Sequence, residues 1–218
     1  MKKKLLIFGS GSQAKLTYSI AKQTKKFFSI KIISFIKSKK IDKKIIYLTQ
    51  IKSLKNYIKD NTYSIVALGD NFYRKKLVSN INQKFKNFKW ATILAPNIEI
   101  GENIKIGVGT IIMKSVFIND NTIIKNHCLI NSKCLIEHDN IISNFSSCAP
   151  RVTTGGNVNI GVSSFVGIGS TIKNSIKIGS NTIIGAGSVI VKNCSNDSVF
   201  AGVPGVKISK RKKNTSFF

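Results

Sequence analysis

A six-residue repeat fills the second half of the chain and limits its fold more than any other feature. Every sixth residue from Leu94 to Ile190 is Leu, Ile or Val, except for Cys148 and Thr154. Glycine often comes next, and a small or β-branched residue often stands four positions after the aliphatic one. This register is the hexapeptide repeat of a parallel β-helix, in which the aliphatic side chain points inward.

Three hexads complete one triangular coil, and this has two consequences. Residues 18 apart are predicted to stack at one strand spacing, about 4.8 Å. The span from residue 94 to residue 190 then predicts about five coils, because each coil uses three hexads. The coils bury their core only by stacking on one another.

The first 90 residues follow another pattern, in which short apolar runs alternate with helical segments. Strands are predicted at 3–9, 29–36, 45–49 and 64–69, and helices at 12–26, 51–60 and 71–85, with Ser12 as an N-cap. Strands that alternate with helices favour a small parallel sheet of the Rossmann-like α/β class.

The formal net charge of +26 raises the possibility of a nucleic-acid partner. We discount it because only Arg74, Arg151 and Arg211 are arginines, and base readout relies on arginine forks. A basic surface also attracts phosphorylated substrates. The apolar runs are too short for a signal peptide or a membrane span, and the four cysteines are expected to be reduced core thiols, so a cytoplasmic location is expected.

Six segments stand out in addition to the repeat. They are "IFGSGSQAK" (7–15), "VALGDNFYRKKL" (66–77), "IEHD" (136–139), "GGNVNIG" (155–161), "IGAGSVIVKN" (184–193) and "AGVPGVK" (201–207). Together with the two-part organisation, they resemble the NeuD/PglD-type sugar acetyltransferases over nearly the whole chain. The resemblance implies a Rossmann-like sugar-nucleotide domain (1–90), a left-handed β-helix for acetyl-CoA and catalysis (91–208) and a basic tail (209–218). It also implies a homotrimer that binds acetyl-CoA between neighbouring β-helices.

The segment "GSGSQA" (9–14) fits the G-x-G-x-x-A turn that lets a phosphate approach a helix N-terminus. NAD is rejected because no acidic residue follows within the second strand or its exit, where Ile36 and Lys37 stand. By resemblance, the nucleotide sugar contacts Gly9, Ser10, Gly11 and Gln13, although the family often has a histidine at the position of Gln13. Asp70 and Asn71 follow a strand where α/β folds bind ligands, and helix capping accounts for them equally well.

His138 follows the inward Ile136 by two residues and is therefore predicted to point outward. A histidine that titrates near neutrality can accept a proton from an attacking amine or hydroxyl, and Asp139 is placed to orient its ring. Gly156, 18 residues later, is predicted to stack over His138. The resemblance assigns the Gly156 N–H to the thioester carbonyl, as an oxyanion donor.

Further site residues come from the resemblance alone. The family commonly has a second histidine where Ser147 stands, and we interpret this position as substrate-binding. Acetyl-CoA contacts are implied at Gly156, Gly167, Ala186, Gly202 and Pro204, and no metal is implied.

These observations predict an acetyl-CoA-dependent N-acetyltransferase that acts on a nucleotide-linked amino sugar for bacterial surface glycans. Two alternatives remain. One is O-acetylation of a sialic acid-type sugar. The other is a non-catalytic protein that binds a sugar nucleotide or serves as a scaffold, and the residues at Gln13, Lys37 and Ser147 make it plausible.

Overall fold

The computed structural model describes residues 3–36, 45–86, 88–212 and 215–216. The N-terminal domain is a four-stranded parallel sheet of order β3-β2-β1-β4. Its elements are β1 (Lys4–Phe8), α1 (Ser12–Gln23), β2 (Ser29–Ser34), β3 (Ile45–Tyr47), a 3-10 helix (Ile51–Asn56), β4 (Thr62–Val66) and α2 (Asn71–Lys84). The predicted α/β domain is confirmed.

Two local predictions for this domain were wrong. The predicted helix at 51–60 is a short 3-10 helix that ends at Asn56, and the chain then turns into β4. Helix α1 has Gly11 as its N-cap in place of Ser12, and no side chain caps it. Glycine is an acceptable N-cap, so the helix starts one residue earlier than the serine suggested. Lys37 lies outside the described residues.

The second domain is a left-handed parallel β-helix built from two-residue strands. The strands are β5 (Ile93–Leu94), β6 (Glu99–Ile100), β7 (Lys105–Ile106), β8 (Ile111–Ile112), β9 (Phe117–Ile118), β10 (Ile123–Ile124), β11 (Leu129–Ile130), β12 (Leu135–Ile136), β13 (Ile141–Ile142), β14 (Ser147–Cys148), β15 (Thr153–Thr154), β16 (Asn159–Ile160), β17 (Phe165–Val166), β18 (Thr171–Ile172), β19 (Lys177–Ile178), β20 (Ile183–Ile184) and β21 (Val189–Ile190). An antiparallel hairpin of β22 (Ser198–Gly202) and β23 (Gly205–Lys210) ends the helix.

The strands form three faces, each a parallel sheet of every third strand. Residues 18 apart pair in register, as in Leu135 with Thr153 and Ile136 with Thr154. The second residue of each strand points inward, and even Cys148 and Thr154 are buried there. Both the stacking rule and the number of coils predicted from the repeat agree with this arrangement.

The corners between faces have their own chemistry. Residues in the left-handed conformation recur there at six-residue intervals, including Asn121 and Asp139, with φ of 57° and 56°. Buried hydroxyls join successive corners, as where Ser146 Oγ donates to Gly161 O at 2.6 Å and Ser164 Oγ donates to Gly179 O at 2.6 Å. The small residue of each hexad therefore fits the narrow corner and satisfies a buried carbonyl.

The four cysteines are buried free thiols, as predicted. Burial raises the pKa of Cys128 and of Cys134 to about 12, so both thiols stay protonated and unreactive at neutral pH.

The N-terminal domain covers one face of the β-helix, formed by β5, β8, β11 and β14. We call this the covered face. An apolar cluster joins Ala14 and Ile20 of α1 to Ile111 and Leu129, which point outward from the covered face. The outward residues of these strands are therefore buried.

His127 lies in the same interface and is only 5% exposed. Its ring stacks on Phe145 with 5.1 Å between centroids and 6° between planes, and it meets Trp90 edge-on at 5.1 Å. Burial, and secondly the charge of Arg74, lower the pKa of His127 to about 4. The ring is therefore neutral when the protein is folded at physiological pH.

This histidine makes stability depend on pH. Its folded pKa lies below its unfolded value of 6.5, so the unfolded state binds more protons between about pH 4 and pH 6.5. The associated stability is present above pH 6.5 and is lost as the pH falls toward 4. We expect protonation of His127 to lower the free energy of unfolding by up to about 3 kcal/mol over this pH range.

The comparison is between wild type and His127→Asn in urea unfolding at pH 7.5, 6.5, 5.5 and 4.5. Asparagine tolerates the left-handed conformation of this position and does not titrate. The variant should lose stability less steeply with falling pH. Parallel curves for the two proteins would contradict the assignment. His138→Asn is the contrasting variant, because the pKa of this exposed ring is raised and its removal should make the loss of stability with falling pH steeper.

Candidate active site

His138 lies on an outer corner of the β-helix, between β12 and β13. The preceding Ile136 is fully buried, whereas 55% of the His138 side chain is exposed. Asp139 has the left-handed conformation of the corner, which brings its carboxylate back toward the imidazole. The Nδ1 atom of His138 lies 2.7 Å from Oδ2 of Asp139. This contact leaves Nε2 as the ring nitrogen available to a reactant.

The acidic surroundings set the proton affinity of this ring. The hydrogen bond to Asp139 is the largest cause that raises the pKa of His138, and the negative charges of Asp139, Glu137 and Asp120 add to it. The chain has nine acidic residues, and four of them lie at or beside this corner on three consecutive coils. They are Glu102, Asp120, Glu137 and Asp139.

Gly156 stacks over His138 on the next coil. A Cβ atom at Gly156 would lie 2.5 Å from Cε1 and 2.6 Å from Nε2 of the imidazole, closer than van der Waals contact permits. Only glycine leaves room for the ring in this position. The backbone of Gly156 therefore approaches the available nitrogen of His138, as the 18-residue stacking rule predicts.

A second candidate region lies at the carboxyl ends of the N-terminal strands. A cavity of about 630 Å³ opens there, lined in part by Gly9, Ser10, Phe35, Asp70 and Lys76. Gly9 has φ +139°, and a Cβ there would lie 2.8 Å from Ala67 O, so this turn requires glycine. Asp70 caps α2 by accepting the N–H groups of Phe72 and Tyr73 at 2.8 and 3.1 Å. Asp70 therefore both caps α2 and lines the cavity.

Gly11 and Gln13 do not line this cavity. Gly11 is exposed, and a Cβ there would meet nothing within 4 Å. Gln13 Nε2 donates to Thr17 Oγ1 at 3.5 Å and contacts Met113 Sδ at 3.8 Å, so this amide faces the domain interface.

Asn71 and Ser147 lie inside the domain interface, and this corrects their assignment as substrate-binding residues. Both are fully buried. Ser147 Oγ donates to Asn71 Oδ1 at 2.6 Å, and Asn71 Nδ2 donates to Ser164 O at 2.9 Å. Ser147 is the first residue of β14 on the covered face, where the hexad pattern alone suggests an exposed position. Only the docking of α2 shows that it is buried.

Apart from Gly156, which stacks over His138, the candidate acetyl-CoA residues lie on another corner. Ala186 and the hairpin residues Gly202 and Pro204 are exposed, whereas Gly167 is buried beneath Ala186, with its would-be Cβ 2.6 Å from Ala186 N. Gly202 has φ +105°, which favours glycine in the turn between β22 and β23. This corner follows β17 and β20, whereas His138 follows β12. One chain therefore holds the candidate base and the candidate cofactor residues at different corners.

The sequence of residues 4–81 matches the model of the PglD N-terminal domain. The first domain of this chain is similar to the PglD N-terminal domain over these residues. This match confirms the resemblance inferred from the motifs. The sequence finds no match among curated proteins.

Solved structures resemble the whole chain in fold. The acetyltransferase domain of PglB from Neisseria gonorrhoeae superposes with a TM-score of 0.86 at 23% identity, over 95% of this chain and 100% of that one. GDP-perosamine N-acetyltransferase from Caulobacter crescentus has a TM-score of 0.86 at 22% identity, over 95% and 97%. WeeI from Acinetobacter baumannii has a TM-score of 0.85 at 20% identity, over 95% and 100%. At these identities, the likeness shows the fold alone, in which an α/β domain precedes a β-helix.

The described residues provide neither a cluster of metal ligands nor a membrane-spanning helix. No group of three or more His, Cys, Asp or Glu side chains in this part of the chain could hold a metal ion. Among the helices that the structure describes, none is long and apolar enough to cross a membrane.

The two histidines should titrate at opposite ends of the range. In a proton NMR titration, we expect the Cε1–H resonance of His138 to shift with a midpoint above pH 6.5. The Cε1–H resonance of His127 should not shift between pH 8 and pH 5, because that ring stays neutral. Asp139→Asn should lower the midpoint of His138, because it removes the main stabilisation of the imidazolium. Glu137→Gln is the matched control and should have a smaller effect. A midpoint below 6.5 in the wild type would contradict the geometry.

Proposed function

We propose that this protein is an acetyl-CoA-dependent N-acetyltransferase that acts on a nucleotide-linked amino sugar for bacterial surface glycans. The observation that carries the proposal is the His138–Asp139 pair beneath the backbone of Gly156. The proposed base and the proposed backbone N–H donor then belong to adjacent coils, which suits acyl transfer. The likeness to structures of an acetyltransferase domain bound to acetyl coenzyme A and of a perosamine N-acetyltransferase bound to CoA and GDP-perosamine supports it.

The mechanism follows from the roles these groups can take. Nε2 of neutral His138 accepts the proton of the sugar amine as the amine nitrogen attacks the thioester carbonyl. Asp139 stabilises the imidazolium that forms. The N–H of Gly156 stabilises the oxyanion of the tetrahedral intermediate. Collapse of this intermediate breaks the carbon–sulfur bond, and the proton held by His138 can pass to the departing thiolate. No metal and no NAD take part.

The charge of the corner favours an amine over a hydroxyl acceptor. Asp120, Glu137 and Asp139 add negative charge around His138 in a chain of net charge +26, so this corner is an exception on a basic protein. An amino sugar arrives as an ammonium ion, which carboxylates attract, and it releases one proton to water before the neutral amine attacks, whereas the carboxylate of a sialic acid is repelled. This observation favours N-acetylation over the O-acetylation alternative.

The sugar nucleotide is assigned to the cavity at the strand ends. Gly9 and Ser10 lie at the turn into α1, Asp70 lies across the cavity, and Lys76 adds a positive charge for a diphosphate. Gly11 borders this turn in sequence and completes the proposed loop.

The complete site is proposed to form between chains of a homotrimer in the cytoplasm. Within one chain, His138 is on one corner and Ala186, Gly202 and Pro204 are on another. A neighbouring β-helix brings its cofactor corner to the His138 corner when the two pack side by side. The thioester then reaches a base from a different chain.

The first experiment measures CoA release with acetyl-CoA and a panel of amino-sugar nucleotides, with sialic acid as the hydroxyl acceptor. We expect turnover with an amino-sugar nucleotide and a loss of about 100-fold or more in His138→Ala, since general-base catalysis contributes on this scale. Analytical ultracentrifugation should give the same oligomeric state for the variant and the wild type, which separates loss of the base from loss of assembly. Full activity in His138→Ala would disprove the mechanism, and the absence of acetyl-CoA binding in calorimetry would disprove the enzyme assignment.

The pH dependence of kcat/KM provides a second test. The neutral ring is the base, and the pKa of His138 is raised, so activity should rise with pH and reach half its plateau above pH 6.5. In Asp139→Asn this limb should move to lower pH, with a lower plateau. If the rise in kcat/KM occurs at the same pH in the variant, Asp139 does not set the pKa of the catalytic base.

A further inference from the structure

Arg74 is the most extensively hydrogen-bonded side chain of the domain interface. It projects from α2, is 1% exposed and ranks among the largest fully buried side chains described. Burial lowers its pKa to about 10, which leaves the guanidinium charged at neutral pH. Its hydrogen-bond acceptors are neutral carbonyls, an amide oxygen and a hydroxyl. A buried charge of this kind is costly unless its donors are satisfied, so each acceptor must stay in place.

One side of the guanidinium holds the loop that follows β4. Nη1 donates to Leu68 O at 2.9 Å and to Gly69 O at 3.2 Å. Leu68, Gly69 and the next residue, Asp70, line the cavity assigned to the sugar nucleotide. Nη2 also donates to Asn71 Oδ1 at 2.7 Å. Arg74 thus fixes one wall of that cavity from behind.

The other side of the guanidinium holds two successive coils of the β-helix. Nε donates to His127 O at 2.9 Å, and Nη2 donates to Phe145 O at 3.1 Å. Ser147 Oγ accepts a further hydrogen bond from Nη2 at 2.9 Å. His127 and Phe145 are 18 residues apart, so they mark the start and the end of one complete turn. His138 lies within that turn.

We infer that Arg74 is a positioning residue that sets the sugar-nucleotide cavity at the height of the coil that carries His138. This inference rests on the proposed function. The same planar group bonds the cavity wall and both ends of the turn that carries the base, so the two cannot move along the helix axis independently. Lysine cannot replace it, since its ammonium has three donors and no fork to reach acceptors on both sides.

The test compares Arg74→Met with wild type in four measurements on the full-length protein. These are kcat, KM for acetyl-CoA, binding of UDP and GDP as nucleotide probes, and urea unfolding. We expect kcat to fall at least tenfold, with KM for acetyl-CoA and nucleotide affinity each within about threefold of wild type. Each substrate would still bind, but the amine would no longer be held next to the base. Arg74→Lys should recover only a small part of the loss.

Ile111→Ala is the matched control, because it weakens the same interface through the apolar cluster and removes none of the hydrogen bonds that Arg74 donates. It should lower the unfolding midpoint and leave kcat within twofold. Fluorescence of the single tryptophan, Trp90, which contacts His127, reports whether the interface has loosened in each variant.

Two results would overturn the inference. One is a kcat of folded Arg74→Met within twofold of wild type, which would leave Arg74 a structural role alone. The other is an equal loss of kcat in Ile111→Ala. If Arg74→Met does not fold, Ser147→Ala removes only one of the contacts to the coil and should lower kcat by about twofold to fivefold, and an unchanged kcat there would also contradict the inference. A wild-type protein without acetyl transfer would instead disprove the proposed function.

Discussion

The structure depends on backbone hydrogen bonds between residues 17 or 19 apart, which hold residues 18 apart in register. Each coil donates to the next through pairs such as Leu135 N–H to Val152 O and Asn157 N–H to His138 O, both at 2.9 Å. Because the side-chain columns follow this register, one aliphatic residue per hexad is sufficient to define the interior. The same register puts a glycine over a histidine and an arginine between two successive turns. The candidate chemistry is therefore a consequence of stacking.

The N-terminal domain adds what a β-helix alone lacks. Its sheet presents a cavity at the strand ends, and α2 docks that cavity on the covered face through polar contacts of Arg74, Asn71 and Ser147. Apolar side chains of α1 also pack against the covered face. The polar contacts are directional, so they determine how the two domains are aligned. A flat apolar face by itself would permit sliding.

Most of the fold could be predicted from the sequence, because the hexad register and the strand–helix alternation are both local patterns. The outward position of His138 and its stacking with Gly156 follow from counting residues, and both agree with the structure. The burial of Ser147 does not follow, since periodicity shows which residues face outward and says nothing of a second domain that covers them. For the same reason, the sequence did not show that the amide of Gln13 faces the domain interface. Arg74 carries no sequence signal of its own beyond being one of three arginines among many lysines.

The register also restricts how the length of such a protein can change. An insertion that is not a whole number of turns would move every later column to a different face. A whole turn inserted after Ser164 would leave the hydrogen bonds of Arg74 and Asn71, the cavity and His138 unchanged, yet it would move the terminal hairpin away from the base by about 4.8 Å. The number of upper coils therefore sets the distance between the base and the far end of a bound thioester, in steps of one strand spacing.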